Sequence, residues 1–104
     1  MDATQGHALF ERWLIRTYGE STRSPGRPVM DGMRRFRDDL AEKLQELKST
    51  AQPIKNAGTI YHWLASAQPN SRRRPDTHLR AVVALMSRGE VPEDAWEQPR
   101  GEAA

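Results

Sequence analysis

The chain has 104 residues, 37% hydrophobic and 29% charged, which is room for one domain around one modest core. It contains no cysteine, which excludes disulfides and thiolate metal sites, and no apolar run approaches the roughly 18 residues of a membrane span. The net charge is only +2, but residues 51–89 carry Lys55, Arg72, Arg73, Arg74, Arg80 and Arg88 against Asp76 alone, a local +5, while residues 90–104 are net −4; such separation fits a polyanion-binding face with acid kept elsewhere.

The predicted elements are all helical. Leu9, Phe10, Trp13, Leu14 and Tyr18 recur at helical spacing and predict a first helix over residues 4–18, with Gly19 as its stop. Pro25, Gly26 and Pro28 make residues 20–29 a loop. Met33, Phe36, Leu40, Leu44 and Leu47 fall at steps of three or four, and Met30 extends the stripe backwards. They predict a second helix, capped by Asp31 and ending near Ser49. Arg35–Asp39 and Asp39–Lys43 are expected as i,i+4 ion pairs on its solvated side. A shorter third helix is expected over residues 56–67, capped by Asn56, with Ile60, Trp63, Leu64 and Ala67 inward. A basic loop follows over residues 68–75. Asp76 then caps a fourth helix, apolar at Leu79, Val82, Val83 and Met86 and stopped by Gly89. Pro92, Glu93 and Asp94 begin a last turn that returns Trp96 to the core, and residues 98–104 are expected to be disordered. The fold class is therefore an all-α bundle of four to five short helices, one domain over residues 1–97. Its core is expected to hold Leu9, Trp13, Phe36, Leu40, Ile60, Trp63 and Val82.

Catalysis has little support. His7, His62 and His78 lie far apart and in no metal-ligand spacing, so each reads as a surface or capping histidine. There is no Gly-rich phosphate loop and no nucleophile elbow. Asp38 and Asp39 are adjacent, so their carboxylates diverge around a helix. The chain reads as a non-enzyme with no metal and no cofactor. Residues 1–6 lack a basic stretch followed by an apolar one, so no secretory signal is expected and the expected location is cytoplasmic.

Three motifs occur in order over residues 54–86: Thr59-Ile60-Tyr61-His62-Trp63, then Arg74-Pro75, then Leu79-Arg80-Ala81-Val82. Together they resemble the second half of a lambda-repressor-like or Cro-like helix-turn-helix domain. Leu40-Ala41-Glu42-Lys43-Leu44 looks like that family's positioning helix, although the stretch from Leu44 to Thr59 is longer than the family's tight turn. The resemblance implies a helix-turn-helix part over about residues 31–89. It also implies a repressor-like transcription regulator of a phage, plasmid or bacterial element, binding double-stranded DNA as a homodimer. On this reading Ile60 and Trp63 anchor the recognition helix. Asn56, Ala57, Thr59, His62 and Ser66 then face outward to the bases. Lys55, beside the amides of the helix start, and Arg72, Arg73 and Arg74 would hold phosphates.

Blander readings stand beside these. The arginine loop also reads as a solvated surface, though its one-sided charge favours nucleic-acid contact, and Tyr61 and Trp63 read as core or hinge residues rather than base-stacking platforms. Arg34, Arg35 and Arg37 are balanced by Asp38 and Asp39, so they read as a solvated face unless they fall beside the loop. The acidic tail and the extra first helix favour a second function, a small helical protein-binding factor. An antitoxin, or a phage-encoded inhibitor of a host nucleic-acid-binding machine, would be of this kind.

Overall fold

Four α-helices and a closing 3₁₀ turn form the computed structural model, which describes residues 2–99. The first helix, α1 (Gln5–Tyr18), starts at Thr4, whose N–H donates to His7 Nδ1 at 2.9 Å. It stops at Gly19, whose φ of +113° suits a residue without a Cβ. The Gly19 amide still closes the helix by donating to Ile15 O at 2.9 Å.

Helix α2 (Met30–Glu46) is the longest element. Val29 occupies its N-cap, not Asp31, which lies in the first turn. There its charge complements the exposed amides of the helix end. The expected i,i+4 pairs are replaced because Tyr18 of α1 reaches across. Its hydroxyl donates to Asp39 Oδ2 at 2.6 Å and its carbonyl accepts from Arg35 Nη2 at 2.8 Å. Arg35 pairs instead with Asp31 at 3.3 Å, and Lys43 with Glu46 at 3.3 Å. The helix ends before Ser49 because Lys48 takes φ +54° and reverses the chain.

Helix α3 (Ala57–Tyr61) has five residues, so the helix expected over residues 56–67 is cut short. Helix α4 (Thr77–Met86) is capped as expected, Asp76 Oδ1 accepting the His78 and Leu79 amides at 3.1 and 3.2 Å. After Gly89 the chain forms the 3₁₀ turn Glu93–Glu97 and buries Trp96 completely. Gln98 and Pro99, expected within a disordered tail, are tied down: Gln98 O accepts from the Gln5 amide at 2.8 Å, and Pro99 bridges Thr4. The rest of that predicted tail, residues 100–104, lies outside the described residues.

Phe10 sits at the centre, its ring 5.2 Å from Phe36, 5.7 Å from Trp96 and 5.9 Å from Trp63, in edge or tilted arrangements. Around it α1 packs on α2 and the 3₁₀ turn, and α2 packs on α3 and α4. Of the expected core residues only Leu9 is partly exposed, at the edge of the cluster. Among the described residues there is no strand beyond isolated bridges, and no helix long and apolar enough to cross a membrane.

Candidate nucleic-acid interface

The segment between α3 and α4 is shaped by three side chains. Past Tyr61, amides reach back three residues: His62 to Thr59, Trp63 to Ile60, Leu64 to Tyr61 and Ala67 to Leu64, at 3.0–3.2 Å. The buried Glu11 of α1 accepts the Ser66 amide at 3.2 Å and also the Ser66 hydroxyl. Arg72 folds under the loop, where Nη2 donates to the carbonyls of Ala65 at 2.8 Å and Ala67 at 2.7 Å. The Ser66 amide, which a continued helix would have given to His62 O, thus finds Glu11, while His62 O accepts from the Arg73 amide at 2.8 Å and Arg72 serves the Ala65 and Ala67 carbonyls, so α3 can stop early with these groups satisfied.

His7 ties the far end of the loop to α1. Its Nε2 lies 2.8 Å from Arg73 O while Nδ1 accepts the Thr4 amide. A neutral ring carrying its proton on Nε2 fits both bonds. Burial holds the His7 pKa below its ordinary value; the charges of Arg72 and Arg74 push the same way, against the bond to Arg73 O.

This architecture redistributes the expected contacts. Ala57 is buried in the core and cannot face a base. Asn56 Oδ1 is committed to capping, accepting the Gly58 amide at 2.8 Å. That cap, on a five-residue helix, also removes the phosphate seat expected beside Lys55. The Ser66 hydroxyl is taken by Glu11. Thr59 and His62 are half-buried. Arg72 is 7% exposed and bonded inward, so it builds the loop instead of meeting phosphate. Arg74 is ion-paired to Glu97, which also takes Arg80 at 2.8 Å. The hydrogen bond from Arg80, reinforced by Arg74, holds the Glu97 carboxyl below its usual range. Lys55 and Arg73 remain exposed, as a phosphate-binding role requires.

Other cations join them from outside the motif. Arg37 Nη1 reaches Lys55 O at 3.4 Å, and Arg27 Nη2 reaches Ser66 O at 3.4 Å. Helical spacing puts Met30, Arg34 and Arg37 on the flank of α2 that faces α3. Asp39, Glu42 and Glu46 lie on the opposite flank, along a groove toward α1 and α4. Exposed Arg27, Arg34, Lys55 and Arg73 and the half-exposed Arg37 thus surround α3, with Asp38, paired to Arg37 at 3.0 Å, as a carboxylate among them. Sequence reasoning missed Arg27 and Glu11 altogether, and it read His7 as a surface or capping histidine, whereas His7 caps Thr4 but is fully buried; no local pattern connects the three to residues 62–74. For Arg34 and Arg37 a signal existed, their common flank with Met30, which becomes meaningful only once α3 is known to pack there.

A pocket of about 200 Å³ opens in the same region, between residues 21–28, the start of α2 and α3. Among the described residues no group of three or more His, Asp or Glu side chains is gathered to hold a metal. Compared with known proteins, the chain matches no family model, no curated protein and no solved structure. The site therefore stands on its own chemistry: fixed positive charge, hydrogen-bond donors and one small apolar recess around a short helix.

Proposed function

We propose that the protein binds double-stranded DNA through the face around α3, as a repressor-like regulator of the helix-turn-helix kind. The observation that carries this reading is the gathering of Arg27, Arg34, Arg37, Lys55 and Arg73 beside α3 from four separate stretches of the chain, with Asp38 the one α2 carboxylate among them while Asp39, Glu42 and Glu46 face away. Such a surface neutralises phosphates and releases counterions, which sets affinity and register. Thr59 of α3 and the side-chain amide nitrogen of its N-cap Asn56 are left closest to a base-reading role.

The test is fluorescence anisotropy of a labelled duplex at several salt concentrations. Wild type is compared with Arg34→Gln/Arg37→Gln/Arg73→Gln, which leaves the buried Arg72 in place. Wild-type affinity is expected to fall steeply with salt, and the variant's log–log slope to be shallower by about 0.9 for each lost phosphate contact. No binding at low salt would defeat the proposal. Dimerisation belongs to the same reading and is checked by sedimentation with and without DNA.

A second reading, a protein-binding factor, is favoured by the groove of about 460 Å³ between α1, α2 and α4. Trp13 and Met86 line it, Leu85 stands 53% exposed beside them, and Asp39, Glu42 and Glu46 outnumber Lys43, itself paired to Glu46, and Arg88 along its walls. Such a groove suits a basic segment with an apolar anchor. Failure to bind DNA would move the case to this reading.

A further inference from the structure

The recess beside α3 has walls unlike the rest of the cationic face. Met33 and Leu64, both buried, form its floor; Met30 and Tyr61 stand at its sides. Arg27 and Ser24 are at its mouth, and no carboxylate lines it. Met30 is 47% exposed although it belongs to the apolar stripe of α2, so the chain leaves an apolar side chain uncovered at this point. At about 200 Å³ the recess is smaller than the roughly 300–1,000 Å³ of sites for drug-sized ligands. It has room for one flat ring.

The surroundings select among rings. A slot with an aromatic wall and adaptable methionines, edged by the hydroxyls of Ser21 and Ser24, accepts the face of a heterocycle and offers its polar edge hydrogen-bond partners. The cations nearby, Arg27 at the mouth and Arg34 and Arg37 along α2, suit the phosphates on either side of a nucleotide better than an acidic or neutral peptide. In an intact duplex every base is stacked inside, so only a nucleotide outside the stack can enter.

We propose that this recess receives one unpaired nucleobase, so that the preferred ligand is a duplex carrying an extruded nucleotide rather than a perfect duplex. This rests on the DNA-binding reading above and narrows it. Tyr61 supplies the stacking wall and Arg27 a contact to the neighbouring phosphate.

The experiment uses the full chain and three labelled duplexes of one sequence: perfect, with a single-nucleotide bulge, and with the same bulge made abasic. Anisotropy titrations at fixed salt are expected to show the bulged duplex binding about tenfold tighter than the other two, near 1.4 kcal/mol. Tyr61→Leu removes the wall, and Met30→Trp, at an exposed position, blocks the mouth without disturbing the core. Both are expected to bring the bulged duplex down to the perfect one while leaving perfect-duplex affinity and its salt slope unchanged. Equal affinity for all three duplexes would overturn the inference and leave the DNA-binding reading standing. So would a bulge preference that persists in both variants, or one shared by the abasic bulge. Binding to none of them would overturn both, and would assign the recess to an apolar side chain of a protein.

Discussion

Replacing Arg72 separates two roles that a basic loop can play. In the structure its Nη2 is a donor to the carbonyls of Ala65 and Ala67, residues 9% and 2% exposed. Arg72→Ala leaves both carbonyls short of that donor in a site with little room for water. A buried group deprived of its partner costs about 1–3 kcal/mol, and some of that is recovered as the loop relaxes. The net loss is expected to be about 2–4 kcal/mol. For a domain of this size that lowers Tm by roughly 10–20 °C. Arg73→Ala removes the same charge from an exposed position and is expected to change stability by no more than about 0.5 kcal/mol. Thermal denaturation of wild type and the two variants, followed by far-ultraviolet circular dichroism at one pH and salt, makes the comparison. The DNA titration should rank them in reverse, with Arg73→Ala giving the shallower salt slope. Equal Tm values for Arg72→Ala and Arg73→Ala would refute the internal role of Arg72.

The pH response should carry the signature of His7. Because burial lowers its folded pKa from 6.5, the unfolded chain takes up this proton first as pH falls. The stability that His7 contributes is complete above about pH 6.5 and is lost on acidification toward the folded value. Tm should therefore drop between about pH 7 and pH 5. His7→Gln should flatten that part of the curve, and an unchanged slope in the variant would count against the assignment. Gly6→Ala should be strongly destabilising, since a Cβ there would lie 2.5 Å from Trp96 Cδ2 and 2.8 Å from the Trp96 backbone. The overpacking cost of about 1–3 kcal/mol or more would appear as a lower urea midpoint. Asp76→Ala removes the cap of α4 and should cost about 1 kcal/mol by the same measurement, with Asp76→Asn recovering most of it.

The helices of the core were legible because their apolar spacing is long and regular. Met33, Phe36, Leu40 and Leu44 each bury as their steps of three and four predict. Asp76 marked the start of α4 for an equally local reason, whereas its end falls at Met86, three residues before Gly89, where Arg88 already turns to φ +55°. Reading failed where a distant side chain competes with local pattern. Residues 62–67 carry a helical stripe, but Glu11 and Arg72 offer their backbone groups other partners. Tyr18 likewise displaced the ion pairs expected within α2. For the candidate interface, charge counting pointed to the loop over residues 68–75 but could not tell which of its arginines the fold leaves exposed. Three consecutive arginines look alike in sequence, whereas the fold buries Arg72, pairs Arg74 with Glu97 and leaves Arg73 exposed. Arg27 and Arg37 enter the site only through the packing of α2 and the residue 20–29 loop on α3.

The contact of Gln98 with Gln5 and the bridge of Pro99 with Thr4 make the described chain a nearly closed ring. Joining those two ends with a short linker and cutting at the exposed Gln52–Pro53 would give a circular permutant in the order α3, α4, 3₁₀ turn, α1, α2. Every helix and every packed face would survive the rearrangement. The pairing of α1 with the 3₁₀ turn, which in the native order must close a loop of almost the whole chain, would become a contact between neighbours. The same cut sends α2 and α3 to opposite ends of the chain, so the long closure moves from the α1–turn pair to the α2–α3 pair, and the permutant would fold around a different loop.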